Sequence, residues 1–183
     1  MSHVLIPLAQ GCEELEAVTL IDLLRRADIQ VTTASLGERM VLGSRGVSLQ
    51  ADTTLDHIMN DSFDLVVLPG GLEGSDNLNA DPRIHQLLQQ QQQKNGYIAA
   101  ICAAPTVLAN AGILKQKSAT AYPNFLDKMD LPDINYIDDQ AVVVDGKVIT
   151  SRGPGTAMDF ALTLIEILCD KQQRDVVETG LVR

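Results

Sequence analysis

A chain of 183 residues is long enough to bury a substantial core, and 45% hydrophobic with 21% charged residues is the balance of a globular protein. A formal charge of −10 and 3% aromatic residues, with no Trp, argue against nucleic-acid backbone or stacked bases as the main partner. No apolar run is long enough to cross a bilayer, and Met1-Ser2-His3-Val4-Leu5-Ile6-Pro7-Leu8 lacks the basic region and long apolar core of a secretion signal.

Strand-like and helix-like segments alternate along the chain. Val4–Ala9 reads as a short apolar strand, and Glu13–Ala27 carries helical periodicity through Leu15, Val18, Ile21, Leu23 and Leu24. Ile29–Leu36 returns to strand, and Val41 with Val47–Leu49 reads as a short antiparallel excursion. Asp64–Leu68 is a buried strand ending in Pro69-Gly70-Gly71. Arg83–Asn95 is a polar helix in which Gln89–Gln93 forms a solvated face, and Tyr97–Ile101 is a continuous apolar strand. Thr106–Ala111 is helical with Gly112 as its cap. Ala141–Val144 and Lys147–Thr150 flank Asp145-Gly146 as a hairpin, and Ala157–Leu168 is the last long helix, followed by a shorter helical tail. Repeated strand–helix units with buried strands predict a doubly wound α/β sheet, and no linker or composition shift divides residues 1–183.

Cys12, Cys102 and Cys169 lie far apart with no Cys-x-x-Cys pair, which fits neither a disulfide framework nor a zinc site. This spacing predicts no metal and a reducing, cytoplasmic compartment. No Walker loop or Gly-x-Gly-x-x-Gly fingerprint is present, so no nucleotide cofactor is expected.

Ligands of an open α/β sheet bind outside the carboxyl ends of its strands. Four such ends carry unusual residues: Gln10–Glu16, Gly70-Gly71, Cys102, and Ser151–Thr156. Cys102 falls between a strand and a helix opened by Pro105, where the helix N-terminus should ease thiol ionisation; it reads as a nucleophile or as buried packing. Gly70 and Gly71 let backbone N–H groups approach an oxyanion, or simply end a strand. Arg152 either holds an anion or stands on the surface. Helix-dipole stabilisation explains Glu13 and Glu14, whereas Leu15, Ala17 and Val18 around Glu16 suggest burial and a raised pKa. A neutral Glu16 can donate a hydrogen bond to a thiolate and later move a proton. His3, His57 and His85 fall away from the strand ends and read as solvent-facing, which weakens a Cys–His peptidase. Cys12 reads as packing or as a resolving thiol beside the glutamates.

With these residues in place, the chain resembles the ThiJ/PfpI superfamily nearly end to end, closest to its parkinsonism-associated deglycase branch and that branch's bacterial homologues. The resemblance is carried by Gly11-Cys12-Glu13-Glu14-Leu15-Glu16, Asp22-Leu23-Leu24-Arg25-Arg26, Leu68-Pro69-Gly70-Gly71, Ala99–Thr106 and Thr150–Thr156. It implies a flavodoxin-like three-layer sandwich with a mostly parallel sheet, usually a homodimer, with Cys102 on a nucleophile elbow and Glu16 as its protonated partner. It further implies an oxyanion site from N–H groups near Gly71 and Ala103, and positive charge from Arg45 and Arg152. The implied activities are glyoxalase III-type conversion of methylglyoxal to lactate, repair of early glycation adducts, and protective, chaperone-like or oxidation-sensing roles. Two positions depart from relatives: Tyr122 stands where the deglycase branch often has histidine, and Ala103 where peptidase-like members have it.

Overall fold

The structure is a computed structural model describing residues 2–183. In chain order it contains β1 (His3–Leu8), α1 (Glu14–Arg26), β2 (Gln30–Ser35), β3 (Met40–Leu42), β4 (Ser48–Gln50), β5 (Thr53–Thr54) and the short α2 (Leu55–Ile58). There follow β6 (Leu65–Leu68), α3 (Leu72–Ala80), α4 (Pro82–Gln93), β7 (Tyr97–Ile101) and α5 (Pro105–Asn110). The remainder comprises β8 (Ser118–Ala119), β9 (Asn135–Tyr136), β10 (Val142–Asp145), β11 (Val148–Ser151), α6 (Ala157–Leu168) and α7 (Lys171–Gly180).

The main sheet has seven strands in the order β10-β11-β7-β6-β1-β2-β5, and each pairing is parallel except β10 with β11. From β1 the chain winds outward through β2 and β5, then returns to the other side of β1 through β6, β7 and β11. The order therefore reverses between β1 and β6, and the crevice at their carboxyl ends is where a doubly wound sheet takes a ligand. Strand residues alternate between two cores: Val4, Ile6, Leu8, Ala99 and Ile101 pack with α1 and α6, whereas Leu5, Val66, Leu68, Ile98 and Ala100 pack with α4 and α5. This is the flavodoxin-like three-layer sandwich.

Four local expectations need correction. Helix α3 was not foreseen, because Gly74, Ser75, Asp76, Asn77 and Asn79 are poor helix formers and only Leu72 and Leu78 are large apolar residues. Gln91 is not on a solvated face: it is buried, and its amide donates to the Phe63 and Tyr97 carbonyls. Asp145 pairs with Val148, so the hairpin loop is Gly146-Lys147 rather than Asp145-Gly146. His3 and His85 are half-buried, His3 bonded through Nε2 to Thr32 Oγ1 and His85 to the Asn79 carbonyl; His57 is exposed.

Candidate active site

Strand β7 delivers Cys102 to a sharp bend at φ +65°, a left-handed conformation strained for a residue with a side chain. The bend is pinned on both sides: Cys102 N–H donates to the Ser151 carbonyl (3.0 Å), and its own carbonyl accepts from Tyr122 N–H (2.8 Å). The thiol is thereby held at the junction of β7, β11 and the loop after β8.

Glu16 approaches from α1. It is fully buried, on the inward face with Ala17, Leu20, Leu23 and Leu24. Leu15 and Val18 are exposed, so helical periodicity rather than its immediate neighbours buries it. Gly70 N–H donates to Glu16 Oε2 at 2.8 Å, whereas Oε1 has no nitrogen or oxygen partner. Gly70 is the opening through which carboxyl and cysteine meet. A first side-chain carbon there would stand 2.6 Å from Cys102 Cβ and 2.7 Å from Glu16 Oε2. Burial pushes the Glu16 carboxyl up to about 7, against the opposing Gly70 N–H and the Cys102 thiol.

The expectation that Cys102 ionises easily is reversed. Burial, and then the charge of Glu16, push its thiol up to about 12, against the Gly71 and Ala103 N–H groups that favour the thiolate. Helix α5 has six residues, too short for its dipole to win. Thiol and carboxyl instead behave as one unit, in which a thiolate is accessible once Glu16 holds the proton.

The four strand ends converge on one cavity of about 600 Å³, with Gly11 and Glu13 after β1, Gly71 after β6, Cys102 and Ala103 after β7, and Pro154 after β11. Arg45 and Tyr122 also line it. Gly70 lies behind the wall, its N–H occupied by Glu16 and its carbonyl by Glu13 N–H (2.9 Å). Arg152 is not brought in: its guanidinium turns away to the Asp138 carbonyl. Tyr122 lies against Gly153 and meets Phe125 edge-on, with centroids 6.1 Å apart. Sequence reasoning missed Ser44, Leu72, Glu73, Asp76 and Phe125 in the lining. Leu72, Glu73 and Asp76 belong to the unforeseen α3, and the helical pattern that would have found them is obscured by glycine and asparagine.

None of the three histidines lines the cavity. Cys12 is fully buried, and burial together with the Glu14 charge pushes its thiol up to about 11, as befits packing rather than a resolving thiol.

The sequence model of the DJ-1/PfpI family matches residues 2–167. The chain belongs to this family. It is 47% identical over 179 residues to protein dj-1beta of Drosophila melanogaster, covering 97% of this chain and 95% of the relative. The crystal structure of that fly protein superposes with a TM-score of 0.96, covering 100% of this chain and 98% of the fly chain. A Caenorhabditis elegans relative named glutathione-independent glyoxalase DJR-1.2 is 38% identical over 165 residues, 90% of this chain and 87% of its own length. A Toxoplasma gondii DJ-1 structure, described as oxidized, has a TM-score of 0.94 at 36% identity, covering 100% of this chain and 98% of its own. The family's fold is thus this chain's fold, and membership supports a protective, glyoxalase- or deglycase-type role at the coarse level. Among the described residues no helix is long and apolar enough to cross a membrane.

Proposed function

We propose that this chain, a single domain over residues 1–183, is a cofactor-independent cysteine enzyme acting on methylglyoxal-type 2-oxoaldehydes or early glycation adducts. The observation that carries the reading is a cysteine on a strained elbow, at a cavity of about 600 Å³, backed by a buried carboxyl raised to about 7. Glu16 takes the thiol proton, and Cys102 Sγ adds to the aldehyde carbon as its C=O π bond opens. The Gly71 and Ala103 N–H groups hold the developing oxyanion. Glu16 then returns its proton to the oxygen. The adduct loses the proton on its aldehyde carbon and gains one at the neighbouring keto carbon, with Glu16 as carrier, while the adduct's hydroxyl proton passes to the keto oxygen. The aldehyde carbon is oxidised to a thioester as the keto carbon is reduced to an alcohol, so no external oxidant or reductant is required. Water cleaves the thioester, giving a 2-hydroxy acid and restoring the cysteine.

The name of the worm relative supports this reading. The deciding measurement is lactate formation from methylglyoxal, without glutathione, by wild type and Cys102→Ser. Formation by the wild type and its loss in the variant is the expected result; equal formation by both would overturn the reading.

A second reading is supported by the oxidised state of the Toxoplasma relative. A Cys102 thiolate attacks peroxide, its sulfur forming a bond to oxygen as the O–O bond breaks and hydroxide departs, and a second peroxide carries the sulfenate to sulfinate. Mass spectrometry after mild peroxide, on a protein inactive toward methylglyoxal, separates this sensor from the enzyme.

We further propose a homodimer in the reducing cytoplasm. Leu15 and Val18 of α1, and Leu42 and Val47 of the adjoining β3–β4 hairpin, expose 46–52% of their surface around a joint made by Glu14. The three cysteines are free thiols.

A further inference from the structure

Strand β11 ends in two hydroxyl residues, Thr150 and Ser151, both fully buried, and neither lines the cavity. A hydroxyl taken out of water needs a partner, so each should hold something in place. Successive strand residues face opposite ways, and the two hydroxyls reach different segments. Thr150 Oγ1 accepts from Thr120 N–H (2.9 Å), a buried bond between β11 and the loop after β8. Ser151 Oγ donates to the Ala141 carbonyl (2.8 Å) and stands 2.7 Å from Thr156 Oγ1. With the Ser151 proton spent on Ala141, Thr156 is the donor in that second bond. Thr156 Oγ1 in turn accepts from Gly153 N–H (3.1 Å), closing the turn that carries Pro154 to the cavity.

Both segments end at the elbow. Cys102 is strained at φ +65°, and such a conformation persists only when its surroundings over-determine it. Its two pins are main-chain bonds, one to the Ser151 carbonyl and one from Tyr122 N–H. The first pin hangs on Ser151 itself. The second hangs on the stretch 120–122, which Thr150 staples two residues before Tyr122. A side-chain carbon on Gly153 would stand 3.0 Å from Tyr122 Cδ2, so the two jaws also touch each other. Register aims them: Thr150 pairs with Ala100 and Ser151 with Ile101, the last two residues before the cysteine.

We propose that Thr150 and Thr156 are positioning residues that hold the Cys102 elbow in its strained form. Thr150 fixes the jaw that carries Tyr122 N–H, and Thr156 fixes the jaw that carries the Ser151 carbonyl. Held in this way, the sulfur stays beside Glu16 and beside the Gly71 and Ala103 N–H groups that support its thiolate. The assignment rests on Cys102 being the reactive group of the site proposed above, and not on which substrate that group attacks.

The test follows alkylation of the intact protein by iodoacetamide near neutral pH, with each cysteine read separately by mass spectrometry. Cys12 is fully buried and serves as an internal gauge of opening, since a loosened fold exposes it. Thr150→Val keeps the shape of the side chain and strands Thr120 N–H without an acceptor. It should slow Cys102 by about tenfold while Cys12 stays protected, and Thr150→Ser should remain within about twofold of wild type. Thr156→Val should slow Cys102 by about threefold, with recovery in Thr156→Ser. A Cys102 rate unchanged or raised in Thr150→Val with Cys12 protected overturns the proposal, as does a serine variant no better than its valine counterpart. If Thr150→Val exposes Cys12, the half-buried Thr156 decides, and a wild-type rate in Thr156→Val overturns the proposal. Lactate formation gives a second readout: kcat falls with the alkylation rate and KM stays within about twofold, because neither threonine lines the cavity. A rise in KM at constant kcat would overturn the positioning role. A wild type that forms no lactate defeats the aldehyde reading alone, since the alkylation rates stand without it.

Discussion

Glu14 and Glu16 stand two residues apart on one helix, both buried, and their surroundings drive them in opposite directions. Burial pushes Glu14 up, but the N–H groups of Glu14, Val47 and Arg45 and the Ser44 hydroxyl outweigh it and hold the carboxyl below its ordinary value. Glu16 has one N–H donor, from Gly70, and burial wins. The difference is a count of donors. Where the β3–β4 hairpin wraps a carboxylate, the charge is kept and ties the hairpin to α1. Beside the Cys102 elbow, the charge is only partly supported, leaving a proton that chemistry can use.

Substitutions can break this contrast. The largest expected effect is on turnover: Glu16→Gln lowers the rate of lactate formation by about 10²–10⁴-fold while the fold persists. Near-normal turnover would remove Glu16 from proton transfer. Next is the pH dependence of stability. In the folded state Glu16 keeps its proton up to about 7, whereas the unfolded chain releases it near the ordinary 4.5. The stabilisation is therefore fully present below 4.5 and is lost as pH rises through 7. Denaturant titrations should show Glu16→Gln gaining on the wild type over that window, by an amount on the order of 3 kcal/mol at most. A gap independent of pH would mean that Glu16 is ionised throughout.

Glu14→Ala should have the converse profile, losing about 2 kcal/mol of stability with little change in the chemical step. It strips acceptors from Arg45 N–H (2.8 Å) and from the Ser44 hydroxyl (3.1 Å). A collapse of turnover at full stability would give Glu14 a part in the chemistry instead. The smallest effect belongs to Tyr122→Phe. The ring keeps its place against Gly153, and only an exposed hydroxyl is lost, so kcat/KM should change by less than roughly threefold. A loss approaching a hundredfold would assign Tyr122 the proton transfer expected of histidine in relatives.

Much of this architecture was legible because buried parallel strands write themselves as continuous apolar runs. Asp64–Leu68 and Tyr97–Ile101 were placed to within a residue, and their ends pointed at the cavity. Interactions distant in sequence were not legible. Glu14 meets its hairpin partners 30–33 residues away, and nothing in the first turn of α1 distinguishes that role from dipole stabilisation. The ionisation of Cys102 was misjudged for a related reason. A strand–helix junction shows the favourable helix end, but the opposing Glu16 charge and the depth of burial exist only after folding. Glu73 escaped notice because α3 is built from poor helix formers held in place by packing, with Gly74 resting against Cys12.

Four consecutive residues at the start of α1 face four destinations. Glu13 opens on the cavity, Glu14 grips the hairpin, Leu15 points outward and Glu16 reaches the elbow. Successive helical positions differ by about 100° of rotation, so one inserted or deleted residue between Gly11 and Glu16 would hand every role to the wrong neighbour. The length of this stretch is as much a part of the site as its chemistry.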